Sequence, residues 1–111
     1  MHSVEQLRQA LKTLVFSDTM NIIEALYDFT PSAFSNGNIR NEAGENNGSC
    51  KLFAFAKLND FSDAETLACF GEYYRDVLAT PNGDDHQNIR NFMKSGWAGI
   101  QFNGNPLSEK R

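Results

Sequence analysis

The segment that most limits the fold is Ser49-Cys50-Lys51-Leu52-Phe53-Ala54-Phe55-Ala56-Lys57-Leu58, which as a helix would be apolar on nearly every side. Such a helix cannot lie on a surface, so it predicts a central element with the rest of the chain wrapped around it. A buried strand would satisfy the same run, but Ser49 as a cap and the absence of Val, Ile and Thr favour helix. A chain of 111 residues has room for one core of this kind, and a single domain over residues 1–111 is expected.

The flanking segments supply the wrapping. Ser3 can cap a helix carrying Val4, Leu7, Leu11 and Leu14 on one face. A second helix is expected from Asp18 to about Tyr27, with Ile22, Ile23 and Leu26 inward and Thr30-Pro31 stopping it. Phe34-Ser35-Asn36-Gly37-Asn38-Ile39 reads as a tight hairpin that sets Phe34 opposite Ile39. Ser62-Asp63-Ala64-Glu65 is a capping box opening the longest helix, with Leu67, Phe70, Tyr74, Val77 and Leu78 towards its buried side and Thr80-Pro81 at its end. Gly71 inside that helix points to a close neighbour that needs the missing side chain. Asp84 and Gln87 pair to open a further helix with Ile89, Phe92 and Met93 inward, ending near Ser95-Gly96. Phe102-Asn103-Gly104-Asn105-Pro106-Leu107 gives a second hairpin signal, after which the tail is expected to fray, and His2 is expected at the surface. The predicted class is α+β and mostly helical, with about five helices and a small antiparallel sheet from the two Asn-Gly hairpins.

Charge and cysteine usage narrow the partners. Ten Lys and Arg against fourteen Asp and Glu give a net charge of -4, which disfavours a phosphate backbone, so no nucleic acid is expected. No apolar run approaches the roughly 20 residues that span a bilayer, and no membrane association is expected. Two cysteines are too few for a secreted disulfide framework, and reduced thiols in a cytoplasmic protein are the default. The start lacks the basic region, apolar run and cleavage site of a secretory signal.

The chemistry-bearing stretch is Asn41-Glu42-Ala43-Gly44-Glu45-Asn46-Asn47-Gly48-Ser49-Cys50. A cysteine at the start of an apolar helix can have its thiolate favoured by free backbone donors and the helix dipole. Gly48-Ser49-Cys50 echoes the nucleophile stretch of papain-like proteases. With His86 as base and Asn91 or Asn88 as orienter, Cys50 would make a hydrolase or transferase. Against that stand the short chain, Glu42 and Glu45 beside the thiol, and the frequency of cysteine as a small buried hydrophobe. Cys69 reads as packing. A phosphate loop fails on spacing, although Ser49, Lys51 or Arg90 could meet an anion at the helix start. Asp84, Asp85 and His86 lack metal-ligand spacing, and neither a metal nor a cofactor is expected. Asn41, Glu42, Asn46, Asn47, Asn88, Arg90 and Asn91 either knit loops to the core or line a recognition pocket. Glu42, Asn46, Asn47, Ser49 and Arg90 are the candidate ligand contacts.

Tyr27-Asp28-Phe29-Thr30-Pro31, the stretch from Asn41 to Lys51, Phe53-Ala54-Phe55-Ala56-Lys57-Leu58, Cys69-Phe70-Gly71-Glu72-Tyr73-Tyr74-Arg75 and His86-Gln87-Asn88-Ile89-Arg90-Asn91-Phe92-Met93 together resemble the HopJ type III effector family. The resemblance covers nearly the whole chain. It implies a bacterial protein, delivery into host cells by a type III system, and a host or bacterial protein partner, but no catalytic mechanism. A first helix beginning at Ser3 is expected to leave almost no flexible serine-rich leader, and a housekeeping cytoplasmic role is the alternative expectation.

Overall fold

A computed structural model describes residues 3–110. Its centre is a helix, α3 (Asn47–Leu58), in which Leu52, Phe53, Phe55 and Ala56 are wholly enclosed. Phe53 is the hub, with ring centroids of Phe92, Phe70, Phe34 and Trp97 at 5.0, 5.5, 6.0 and 6.4 Å. Around α3 lie α1 (Val4–Gln9), α2 (Phe16–Leu26), α4 (Asp63–Ala68), α5 (Glu72–Ala79) and α6 (Gln87–Ser95), followed by a 3₁₀ turn over Gly96–Gly99. Among the described residues, five short strands complete the fold: β1 (Tyr27–Phe29), β2 (Phe34–Asn36), β3 (Ile39–Asn41), β4 (Ile100–Phe102) and β5 (Leu107–Glu109). The α+β class stands, and His2 lies outside the described residues.

Several elements depart from the sequence expectation for identifiable reasons. The longest helix is two helices. Gly71 takes φ of +60°, and a Cβ there would stand 2.6 Å from the Phe16 nitrogen, so the close neighbour is the backbone at the start of α2 and the glycine breaks the helix to admit it. The expected capping box opens α4: Ser62 Oγ accepts from the Glu65 N–H at 3.1 Å and Glu65 Oε1 accepts from the Ser62 N–H at 2.9 Å. Leu78 and Met93, expected inward, are 53% and 44% exposed. The first helix stops at Gln9, so Leu14 reaches the core from the connection to α2.

Strand pairing differs too. The first hairpin turns on Gly37-Asn38 with Gly37 at φ +61°, which pairs Asn36 with Ile39 and Phe34 with Asn41. Moving the turn by one residue moves Phe34's partner by two, so the face is unchanged, and Asn36 and Asn41 lie on the inward side with Phe34. The second Asn-Gly segment makes no hairpin: β4 joins β2 in a β3-β2-β4 sheet, whereas β5 pairs with β1 in a separate one. The tail beyond Leu107 is therefore held, with Tyr27 opposite Glu109. Lys110 N–H also donates to the Leu26 carbonyl at 3.0 Å. Among the described residues, no helix is long and apolar enough to cross a membrane.

Candidate functional site

Two helices begin at one place. The chain leaves β3 at Asn41, turns through Glu42–Glu45, and enters α3 from Asn46, whose φ is +51°. α6 is entered from His86 with φ +50°. Neither residue caps its helix through its side chain. Between the two starts lies an open cleft of about 420 Å³, lined by Asn41, Asn46, Gly48, Ser49, His86, Gln87, Asn88 and Ile89, with Ile39, Phe16, Phe70 and Tyr73. Its lining contains no Asp, Glu, Lys or Arg.

The aromatic wall depends on Gly71. Because that residue lets the start of α2 come close, Phe16 reaches Phe70 (ring centroids 6.1 Å, stacked) and Tyr73 (5.2 Å, edge-on). Glu72 Oε1 fastens the approach by accepting the Phe16 N–H at 2.6 Å. His86 continues the wall, its ring centroid 5.4 Å from that of Tyr73.

Asparagine amides build the floor. Asn41 and Asn88 exchange hydrogen bonds at 3.2 and 3.1 Å, and Asn46 Nδ2 donates to Asn41 Oδ1 at 2.7 Å. Behind them, Asn36 Nδ2 donates to the Asn88 backbone oxygen at 2.8 Å, and Asn91 Nδ2 donates to the Asn36 backbone oxygen at 3.0 Å. The amides thus knit β2 and β3 to α6 and also present Asn41, Asn46 and Asn88 to the cleft. Of the two sequence alternatives, the hydrogen bonds show the knitting of loops to the core, and the lining of the cleft by Asn41, Asn46 and Asn88 is a matter of position alone.

The remaining candidates divide. Asn46, Ser49 and His86 share the cleft, whereas Glu42, Asn47, Cys50, Arg90 and Asn91 are absent from its lining. Ser49 is not the helix cap; α3 starts two residues earlier, at Asn47. Cys50 therefore lies a full turn into the helix, with its N–H already donated to the Asn46 carbonyl at 3.0 Å. The thiol is buried, faces the Ser32 carbonyl oxygen at 3.6 Å, and has its pKa raised by desolvation. This is the opposite of an activated nucleophile. His86 contacts Tyr73 and Asp85 instead, the latter at 3.8 Å.

Arg90 is nearly buried and fully engaged. It donates to Asp85 Oδ1 at 2.7 Å, to the Asp85 carbonyl at 2.6 Å and to the Thr80 carbonyl at 2.8 Å. The hydrogen bond from Arg90 holds the Asp85 carboxyl below its ordinary range. Gln87 reaches the Asp84 backbone oxygen, so the expected pairing of these residues uses main chain. Lys51 pairs with Glu24 at 3.5 Å. Arg90 and Lys51 thus spend their charge on structure. Among the described residues, no three His, Cys, Asp or Glu side chains gather to hold a metal ion.

Phe16 precedes the expected start of the second helix and drew no reading from the sequence, while Phe70 read as core and Tyr73 as part of a helix. Gly71 was the available signal, since a glycine in a helical pattern marked the point where α2 approaches.

The chain is similar to a crystal structure described as the unknown-function protein VPA0580, with a TM-score of 0.92 at 53% identity, covering 99% of this chain and 97% of that one. No curated protein matches it. The family model for "HopJ type III effector protein" matches residues 1–107, and the chain belongs to that family.

Proposed function

We propose that the protein is an effector-like binding module that takes an apolar or aromatic side chain of a partner polypeptide into the cleft between the starts of α3 and α6. The observation that carries this reading is the cleft's lining: an aromatic wall of Phe16, Tyr73 and His86 faces the polar groups of Asn46 and Ser49, with no Asp, Glu, Lys or Arg between them. Uncharged walls of this kind favour a ligand with an apolar body and a few hydrogen-bonding groups over a polyanion or a metal complex. The family description supports a partner inside a host cell, reached through type III export.

A photo-crosslinking amino acid at position 73 tests the cleft. In host-cell extract it should capture one discrete partner that the same group at Ala25, exposed on α2, does not. Equal capture at both positions would sink the cleft reading. Delivery is tested separately by fusing a translocation reporter to the chain; absence of signal in host cells would favour the housekeeping cytoplasmic role. A cysteine-dependent hydrolase or transferase draws no support from the buried Cys50 thiol.

A further inference from the structure

The chain carries four Asn-Gly steps, Asn36-Gly37, Asn47-Gly48, Asn82-Gly83 and Asn103-Gly104, and their surroundings differ sharply. Such a step can rearrange without an enzyme when the glycine nitrogen can reach the asparagine side-chain carbon. We propose that Asn103 is a site of spontaneous deamidation, singled out because it adds to an exposure shared with Asn47 and Asn82 the free N–H of Gly104 and the Arg40 guanidinium on its amide oxygen.

The three other steps are each restrained. Asn36 is wholly buried with its Nδ2 held by Asn88, and the Gly37 N–H is donated to the Gly99 carbonyl at 2.9 Å. The Gly83 N–H is donated to the Thr80 carbonyl at 3.0 Å. Asn47 opens α3, where helical backbone angles turn the Gly48 nitrogen away from the Asn47 side chain. Asn103, by contrast, lies in the exposed connection between β4 and β5, and the Gly104 N–H has no described hydrogen-bond partner. Arg40 Nη1 donates to Asn103 Oδ1 at 3.4 Å. That contact withdraws electron density from the side-chain carbon and stabilises the oxyanion formed when it is attacked.

The chemistry needs only water. The Gly104 nitrogen, losing its proton to solvent base, bonds to Asn103 Cγ; the Cγ–Nδ2 bond breaks, and the departing nitrogen takes up a proton to leave as ammonia. One water then opens the resulting succinimide at either carbonyl, giving aspartate or isoaspartate and a proton. The product places a carboxylate beside Arg40, where it competes with Glu42, whose Oε1 now accepts from Arg40 Nε at 3.3 Å.

Peptide mapping by mass spectrometry, after incubation of the intact folded protein at mildly alkaline pH, tests the proposal. A parallel sample unfolded in urea supplies the unrestrained rate of each step. Asn103 should convert in the folded protein at close to its unfolded rate, and at least about tenfold faster than Asn36, whose reaction requires local opening. Conversion of Asn36, Asn47 or Asn82 as fast as Asn103 in the folded protein would overturn it, as would an Asn103 rate suppressed to that of Asn36. In the charge-shifted fraction, displaced Arg40 side-chain resonances are expected, and undisplaced ones would remove the coupling to Arg40.

Discussion

Individual residues here are decided by what their backbone and neighbours allow. Gly71 combines φ of +60° with a Cβ position 2.6 Å from the Phe16 nitrogen, so Gly71→Ala meets both backbone strain and a main-chain clash. A loss of about 3 kcal/mol is expected in urea unfolding, with the Phe16–Tyr73 contact loosened as well. The two thiols make a second case. Burial pushes Cys69 up to about 12 from an ordinary value of 9.0 and raises Cys50 in the same direction. Neither should react with a thiol reagent at neutral pH until the protein unfolds. The unfolded chain ionises first, so stability contributed by the neutral Cys69 thiol is intact below about pH 9 and is lost as pH rises towards 12. Alkaline unfolding of Cys69→Ala measured beside the parent should show a shallower decline over that window. A reactive Cys50 in the folded state would reopen the nucleophile reading.

Among the elements, α6 holds the most consequential side chains. Asn88 exchanges two side-chain bonds with buried Asn41 and accepts one from buried Asn36, so Asn88→Ala removes all three and leaves Asn36 only its bond to the residue-88 main-chain oxygen. The expected cost is about 3 kcal/mol, read from the urea midpoint at unchanged slope. By contrast, Leu78→Asp on α5 should stay within about 0.5 kcal/mol, because that side chain is 53% exposed. Legibility followed local signals. The box at Ser62 and the enclosed run of α3 are written in neighbouring residues and were readable. The hairpin register was not, because Asn36-Gly37 and Gly37-Asn38 both make acceptable two-residue turns, and the choice rests on Asn36 finding Asn88 far away in the sequence. Leu78 misled for the reverse reason: its spacing from Tyr74 matches an inward face, but no element covers it.

For the whole molecule, stability converges on α3. Phe53→Ala would remove the ring that meets Phe34, Phe70, Phe92 and Trp97, at an expected cost of about 3–5 kcal/mol. Loss of cooperativity in calorimetry, rather than a displaced single transition, would show that the core is less unified than this cluster indicates. The candidate cleft is a property of this scale, since its walls come from α2, β3, α3, α5 and α6 and from the junction at Phe70. No local motif could announce it; Asn41, Asn46, Ser49, His86 and Asn88 were legible as polar residues near expected turns and helix starts, whereas the aromatic wall was not. The pairing of β1 with β5 carries a consequence in time. Tyr27 waits for Glu109, so a nascent chain that has already exposed α1, α2 and the hairpin still lacks the partner for β1. The smaller sheet can close only after residues 107–109 clear the ribosome, and until then β1 presents an unpaired edge to whatever chaperone stands at the tunnel exit.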